Sequence, residues 1–235
     1  MTPAARIAAV IEILSEAPAD MPAGAALRRG LQGRRYAGSG DRQAISALFW
    51  TVQRAIARLT WHLERVDTAA SARTLVLAAL HLVDGQSGED IRTLFGAGDK
   101  HGPPPLNDDE AGILQALDAA QIDDEAMPRP VRLEWPGALV DDASAALGDQ
   151  LETELAAMRG EAGADIRINP LKIKDRRKLR DRLAGKGMTC HPTKLSPLGI
   201  RMTKRMRTDD TPEFRDGLFE IQDEASQIAA LLCDA

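Results

Sequence analysis

The sequence predicts a mainly α protein with a smaller α+β unit behind it, and three observations carry that reading. Apolar residues recur at i, i+3, i+4 and i+7 through most of the first 160 residues, the spacing of amphipathic helices. From Asp165 the period changes, and Ile166 and Ile168 alternate with polar neighbours as on a strand with one buried face. Within the helical stretch lies a candidate linker, Met127-Pro128-Arg129-Pro130, where proline withholds backbone donors and restricts the residue before it. The expected organisation is an all-α domain over 1–126, a linker with connecting helices over 127–160, and an α+β unit with a small mixed sheet over 161–235.

In chain order, Ile7, Val10, Ile11 and Leu14 define a first helix that Pro18 and Pro22 end. Residues 27–31 suit a short helix and 33–40 a basic loop. Asp41 reads as the cap of one long helix whose stripe is Ile45, Leu48, Phe49, Val52, Ile56, Leu59 and Leu63. Residues 72–83 are apolar on most sides, which places that helix at the centre of a bundle, and Gly85 stops it. A short helix at 90–95 and a Gly/Pro loop at 96–105 follow. Asn107 with Glu110 three residues on has the form of a capping box for a helix through Ala120. Helices at 137–147 and 148–159 share Leu147, Leu151, Leu155 and Met158. In the last unit the first strand ends at Pro170, and a basic helix over 175–184 is held by Leu179 and Leu183. Short strands fall at 188–191, 199–202 and 218–221, and a helix over 223–233 completes the unit.

Composition narrows the function classes. With 44% hydrophobic and 28% charged residues the chain is globular in type. No run approaches the roughly 18 apolar residues of a membrane span, and the N-terminus lacks the layout of a secretory signal, so the expected location is the cytoplasm with no membrane partner. Cys190 and Cys233 form no metal or disulfide pattern and read as packing cysteines. His62, His81 and His101 read as structural or surface residues, and Trp50, Trp61 and Trp135 as core. The net charge of −5 is unevenly spread. Residues 84–165 carry 5 Lys+Arg against 19 Asp+Glu, whereas residues 166–207 carry 14 against 2. Phosphate senses the local field within about 10 Å, so segment charge decides.

Lys172, Lys174, Arg176, Arg177, Lys178, Arg180, Arg182 and Lys186 crowd one turn and one helix. Arg176 with Arg180, and Lys178 with Arg182, are like charges at i, i+4, each pair costing an isolated helix roughly a few tenths of a kcal/mol. Only Arg177 with Asp181 offers relief. A polyanion laid along the helix removes that repulsion; the competing reading is a solvated face, or one neutralised by the acidic residues 84–165. Arg167-Ile168-Asn169 and Lys204-Arg205-Met206-Arg207 add to the same region. A second basic feature is the 33–42 loop with Arg34, Arg35 and Arg42, preceded by Arg28 and Arg29. Its Gly-Ser-Gly ahead of a helix offers backbone N–H groups to a phosphate, or is an ordinary interhelical loop.

Several stretches resemble a known family. Arg167-Ile168-Asn169-Pro170-Leu171-Lys172 is similar to the Arg-Val-Asn-Thr-Leu-Lys strand of the Sun/Fmu (RsmB-like) rRNA cytosine-C5 methyltransferases. The stretch from Thr193 to Arg201, and Phe214-Arg215-Asp216-Gly217-Leu218-Phe219-Glu220-Ile221-Gln222-Asp223-Glu224-Ala225-Ser226-Gln227, resemble that family's segments ahead of its methyltransferase core. The N-terminal half resembles the family's NusB-like RNA-binding bundle, on Ser39-Gly40-Asp41-Arg42-Gln43-Ala44-Ile45-Ser46 and Asp108-Asp109-Glu110. The resemblance implies a NusB-like bundle followed by a pre-catalytic RNA-binding subdomain. It implies that Arg167, Asn169 and Lys172 approach the RNA backbone near the target cytosine; the charge pattern adds Lys174, Arg176, Arg177 and Arg180 as RNA-binding candidates. It also implies that Gln222, Asp223 and Ser226 open the helix flanking an S-adenosylmethionine pocket.

The chain departs from the family where the chemistry should be. The family needs a thiolate after a proline and a Gly-rich loop after a strand; neither pattern is present. The expectation is therefore the RNA-binding portion of an S-adenosylmethionine-dependent enzyme without its Rossmann-like core, inactive alone and binding no cofactor alone, with structured RNA, small-subunit rRNA by resemblance, as partner. Two other readings stand beside it: a stand-alone NusB-like antitermination-type adapter, and a truncated remnant whose last helix exposes Ile228, Leu231 and Leu232 and so self-associates.

Overall fold

In the computed structural model, which describes residues 1–96, 98–203 and 211–233, the chain divides into Met1–Gly160 and Glu161–Ala235. The first unit is helical: α1 (Pro3–Glu16), α2 (Ala23–Gly33), α3 (Ser39–Arg54), α4 (Ile56–Arg65), α5 (Ala72–Leu82), α6 (Gly88–Phe95), α7 (Asp108–Leu117), α8 (Arg129–Leu133), α9 (Val140–Leu147) and α10 (Leu151–Met158). Helix α5 is the axis of the bundle, with Val76, Leu77, Ala78 and Ala79 fully buried in succession, and α1, α3, α4, α6 and α7 surround it. The alanines let neighbouring helices approach closely, and Phe49 and Phe95 fill the remaining volume. The capping box of α7 forms as its sequence predicts: Asn107 Oδ1 accepts from Glu110 N at 2.8 Å, and Glu110 accepts from Asn107 N at 3.1 Å.

Two local expectations are corrected. Helix α3 starts at Ser39 with Gly38 as its N-cap, so Asp41 is not the capping residue. It sits inside the first turn, where its carboxylate accepts from Gly38 N at 3.2 Å and Arg6 Nε at 2.9 Å. The long helix expected through Leu63 breaks at Ala55, whose backbone (φ −122°, ψ 14°) is off the helical values. The break holds because Glu134, from α8's C-cap, supplies a carboxylate to the exposed first turn of α4, accepting from Ala57 N (3.0 Å), Arg58 N (2.9 Å) and Arg58 Nε (3.0 Å). Residues 127–160, expected as a linker with connecting helices, carry α8, α9 and α10 and group with the first unit: α8 packs on α4, and Leu133, Leu151 and Leu155 form a small core of their own with Trp135 beside them.

The second unit contains β1 (Ala164–Ile168), α11 (Arg176–Ala184), β2 (Cys190–Pro192), β3 (Gly199–Met202), α12 (Pro212–Arg215), β4 (Phe219–Ile221) and α13 (Glu224–Leu232). The strands order as β2-β3-β1-β4, antiparallel at every pairing, where a mixed sheet was expected. The reason is topological. The crossover through α11 does return β2 parallel to β1 in direction, but β3 occupies the place between them and pairs antiparallel with both. One face of the sheet carries Ile166, Ile168, Ile200, Met202 and Phe219, closed by Leu179 and Leu183 of α11. Asp165, Arg167 and Arg201 alternate with these and lie on the opposite face.

Candidate nucleic-acid interface

Helix α11 is the basic helix the sequence predicts. Asp175 caps it, its Oδ1 accepting from Arg177 N at 2.8 Å. Leu179 and Leu183 are fully buried, which turns Arg177, Lys178 and Arg182 outward. These three, with Lys174 just before the helix and Lys194 in the β2–β3 loop, are exposed and without a salt bridge among the described residues. Asp181 pairs with its neighbour Arg180 at 2.5 Å, so the expected Arg177–Asp181 pair does not form. Lys204, Arg205, Met206 and Arg207 of the same cationic block lie outside the described residues.

The other cations of the block are engaged in holding the unit together. Arg176 Nη1 donates to the carbonyls of Ser196 (2.6 Å), Gly199 (3.2 Å) and Thr193 (3.3 Å), tying the start of α11 to the β2–β3 loop. Lys172 Nζ donates to Asp216 O at 2.6 Å. Asn169 Nδ2 donates to Gly217 O at 3.1 Å, while its Oδ1 accepts from Leu171 N; Gly217 takes the left-handed conformation (φ +67°) that this turn requires. Arg167 pairs with its cross-strand partner Glu220 at 3.3 Å. Lys186 holds Glu213 at 2.6 Å and keeps that carboxyl below its ordinary range. Among the described residues of this unit, Arg167, Arg180, Lys186 and Arg201 pair with Glu220, Asp181, Glu213 and Asp165.

The polar face of the sheet contains a network that the sequence did not announce. Asp165, its side chain 1% exposed, accepts from Arg201 Nε and Nη2, both at 2.8 Å, and from Glu224 N at 3.2 Å. Arg201 is its cross-strand partner. Glu224 Oε1 accepts from Leu195 N (2.7 Å) and Ser196 N (2.9 Å), hydrogen bonds that, with Ser196 first, hold its carboxyl below the ordinary range. Ser196 Oγ meets Gln227 Oε1 at 2.7 Å, and a Cβ on Gly199 would collide with the Thr193 side chain. The Thr193–Arg201 and Phe214–Gln227 stretches therefore meet across the sheet and fix the loop between β2 and β3. The register that joins them is invisible until the strands are paired.

Of the residues assigned to a cofactor edge, Asp223 is spent capping α13, its Oδ1 accepting from Ala225 N at 2.8 Å. Gln222 N donates to Asp165 O at 3.1 Å and its main-chain carbonyl accepts from Gln227 Nε2 at 2.8 Å, while its side-chain Oε1 is buried with no partner among the described residues. Ser226 is exposed.

In the first unit, Arg34 is buried, donates to Gly30 O at 2.8 Å and pairs with Glu12. Arg42 donates to the carbonyls of Ala37 (3.0 Å), Leu31 (3.0 Å) and Arg34 (3.1 Å), closing the 34–38 loop. Arg28, Arg29 and Arg35 are exposed, as is Tyr36 at 72%. Thus one of the three loop arginines assigned to RNA, Arg35, is free to meet a ligand.

The remaining chemistry-bearing residues are structural or solvent-facing. His62 is buried against Ile122 O, and burial pushes its imidazole below the ordinary value. His81 Nδ1 lies 2.8 Å from Gln86 O, and His101 is exposed. Cys190 is half-buried; Cys233, expected on a packed face, is the C-cap of α13 and is exposed. Leu231 and Leu232 are exposed and Ile228 half-buried. Among the described residues no group of three His, Cys, Asp or Glu is placed to hold a metal ion, and no helix is long and apolar enough to cross a membrane.

No family model and no curated protein matches the chain. Among solved structures, the chain is similar to the crystal structure of PH0851, with a TM-score of 0.61 at 18% identity. The likeness covers 100% of this chain and 56% of PH0851, so the chain spans little more than half that protein's length. At this identity the likeness establishes a related fold.

Proposed function

We propose that this chain is the RNA-binding portion of an rRNA cytosine-C5 methyltransferase of the Sun/Fmu (RsmB-like) family, acting in the cytoplasm on small-subunit rRNA. Structured RNA meets it at Lys174, Arg177, Lys178, Arg182 and Lys194. The single observation that carries the RNA reading is the presence of these five exposed cations without a salt bridge on and beside one helix. The chain tolerates their mutual repulsion while neighbouring Arg176 and Lys172 donate to its own carbonyls. Phosphates along the helix relieve that repulsion, and the release of their counterions drives binding. The family assignment draws its support from the matching sequence stretches and, at the level of fold, from the likeness to PH0851. S-adenosylmethionine enters as the family's methyl donor, and no atom of this chain is assigned to it.

The test separates free cations from structural ones. The triple variant Lys174→Gln/Arg177→Gln/Lys178→Gln is expected to fold normally. It should bind an rRNA hairpin more weakly at low salt, with the slope of log K against log salt reduced by about 2 to 3. Fluorescence anisotropy over a salt series measures both. An unchanged slope would show that phosphates do not meet this face.

A further inference from the structure

Leu171 is 94% exposed and Leu195 is 74% exposed, and both stand on loops built with unusual care. The 169–175 loop is closed by Lys172 N and Ile173 N donating to Asn169 O at 3.0 and 2.9 Å, by Leu171 N donating to Asn169 Oδ1 at 3.1 Å, and by the buried Ile173. The β2–β3 loop is held by Glu224, which accepts from the backbone N–H of Leu195 itself and of Ser196. The guanidinium of Arg176, one residue past the first loop, donates to three carbonyls in or bordering the second, so the two loops are neighbours at one end of the sheet. Each leucine is thus presented from a fixed backbone rather than left on a slack one, and each has an exposed lysine nearby in its loop: Lys174 and Lys194.

We infer that Leu171 and Leu195 are base-contacting knobs, and that the RNA bound by this unit presents unpaired, unstacked nucleotides to them. This rests on the RNA-binding reading of α11. A ligand that satisfies an apolar side chain and a cation within one loop must carry an apolar face beside negative charge, as an unstacked nucleobase does on its phosphate chain. A regular A-form duplex hides its base faces and offers only edges and phosphates. Aromatic side chains usually serve as base platforms, but the two of this unit, Phe214 and Phe219, are packed into or against its core. Leucine wedges between bases are an established alternative. Among the described residues of the unit, the other large apolar side chains that are exposed, Ile221, Leu231 and Leu232, lie next to acidic or apolar residues in sequence and lack the flanking lysines.

The full-length chain is titrated against two RNA hairpins of equal length and charge. One is fully paired; the other has a small internal loop with 2-aminopurine at an unpaired position. The wild type should prefer the looped RNA by about tenfold and change the 2-aminopurine fluorescence. Leu171→Ser/Leu195→Ser should lose most of that preference and the fluorescence change while keeping the salt slope, and Leu171→Met/Leu195→Met should retain both. Equal wild-type affinity for the two hairpins overturns the inference while leaving the cationic reading intact. So does an unaltered preference in the serine variant. A serine variant that differs only in self-association by sedimentation also overturns it, placing a second copy of the chain on the leucines. Failure of the RNA reading itself is distinguished by the Lys174/Arg177/Lys178 triple variant, which would then bind both hairpins like the wild type.

Discussion

The guanidinium of Arg176 donates to three main-chain carbonyls, whereas that of Arg177, one position on, stands in water. Successive positions on a helix are about 100° apart, enough to turn one arginine into the fold and the other away from it. The consequences of removing them differ accordingly. Arg176→Gln leaves the carbonyls of three buried residues without a charged donor, an interaction worth about 2 kcal/mol, and a thermal melt should show a loss of several degrees. Arg177→Gln should leave the melt within a degree and weaken RNA binding instead. The reverse pattern would invert the assignment. This distinction was not legible in the sequence, where eight cations between Lys172 and Lys186 form one undifferentiated block. Charge patterning locates a field; only the partners of each side chain decide which charges are spent. The same holds for Asp165 and Arg201, 36 positions apart and joined only by strand register.

At the level of elements, periodicity exposed the helices well, because burial against a common core writes a 3.6-residue stripe into each. Helix α5 was legible as the centre from its unbroken apolar run, and α7 from its capping box. The break between α3 and α4 was not: Arg54-Ala55-Ile56-Ala57 contains neither proline nor glycine, and the apolar stripe runs straight through it. What ends α3 is a carboxylate from 77 residues away, Glu134, held in the left-handed region at φ +52° where a non-glycine residue is strained by roughly 1 kcal/mol or more. Glycine would relieve the backbone, yet glutamate stands there, which argues that its carboxylate outweighs the strain. Glu134→Gly tests the balance. Losing the cap costs about 1 kcal/mol, and leaving Arg58, 8% exposed, with Asp123 and the Arg54 carbonyl as its partners costs several more. The net expectation is a destabilisation of about 2 to 4 kcal/mol by urea unfolding; a stabilised variant would mean that strain relief wins and the cap is dispensable.

For the whole molecule, the two units differ in charge as well as in architecture. Each contains 15 Lys+Arg, but residues 1–160 carry 23 Asp+Glu against 12 in residues 161–235. The first unit is thus net −8 and the second net +3, and an overall charge of −5 conceals a unit suited to polyanions. Each apolar core is drawn wholly from one unit: Ile7 to Leu117 and Leu133 to Leu155 in the first, Ile166 to Phe219 in the second. A unit of about 75 residues is near the lower limit for independent stability. Here the Asp165–Arg201 pair and the Arg176 hydrogen bonds supplement a core of nine buried apolar side chains. The fragment 161–235 is therefore expected to fold alone, seen as a cooperative thermal transition by circular dichroism. It should bind the rRNA hairpin at least as tightly as the full chain, because removing a net −8 unit lowers repulsion of the phosphates at low salt. The affinity difference should shrink as salt is raised through the physiological range. A fragment that folds yet fails to bind, while the full chain binds, would move the RNA surface onto the first unit, where Arg28, Arg29, Arg35 and Tyr36 are the exposed candidates.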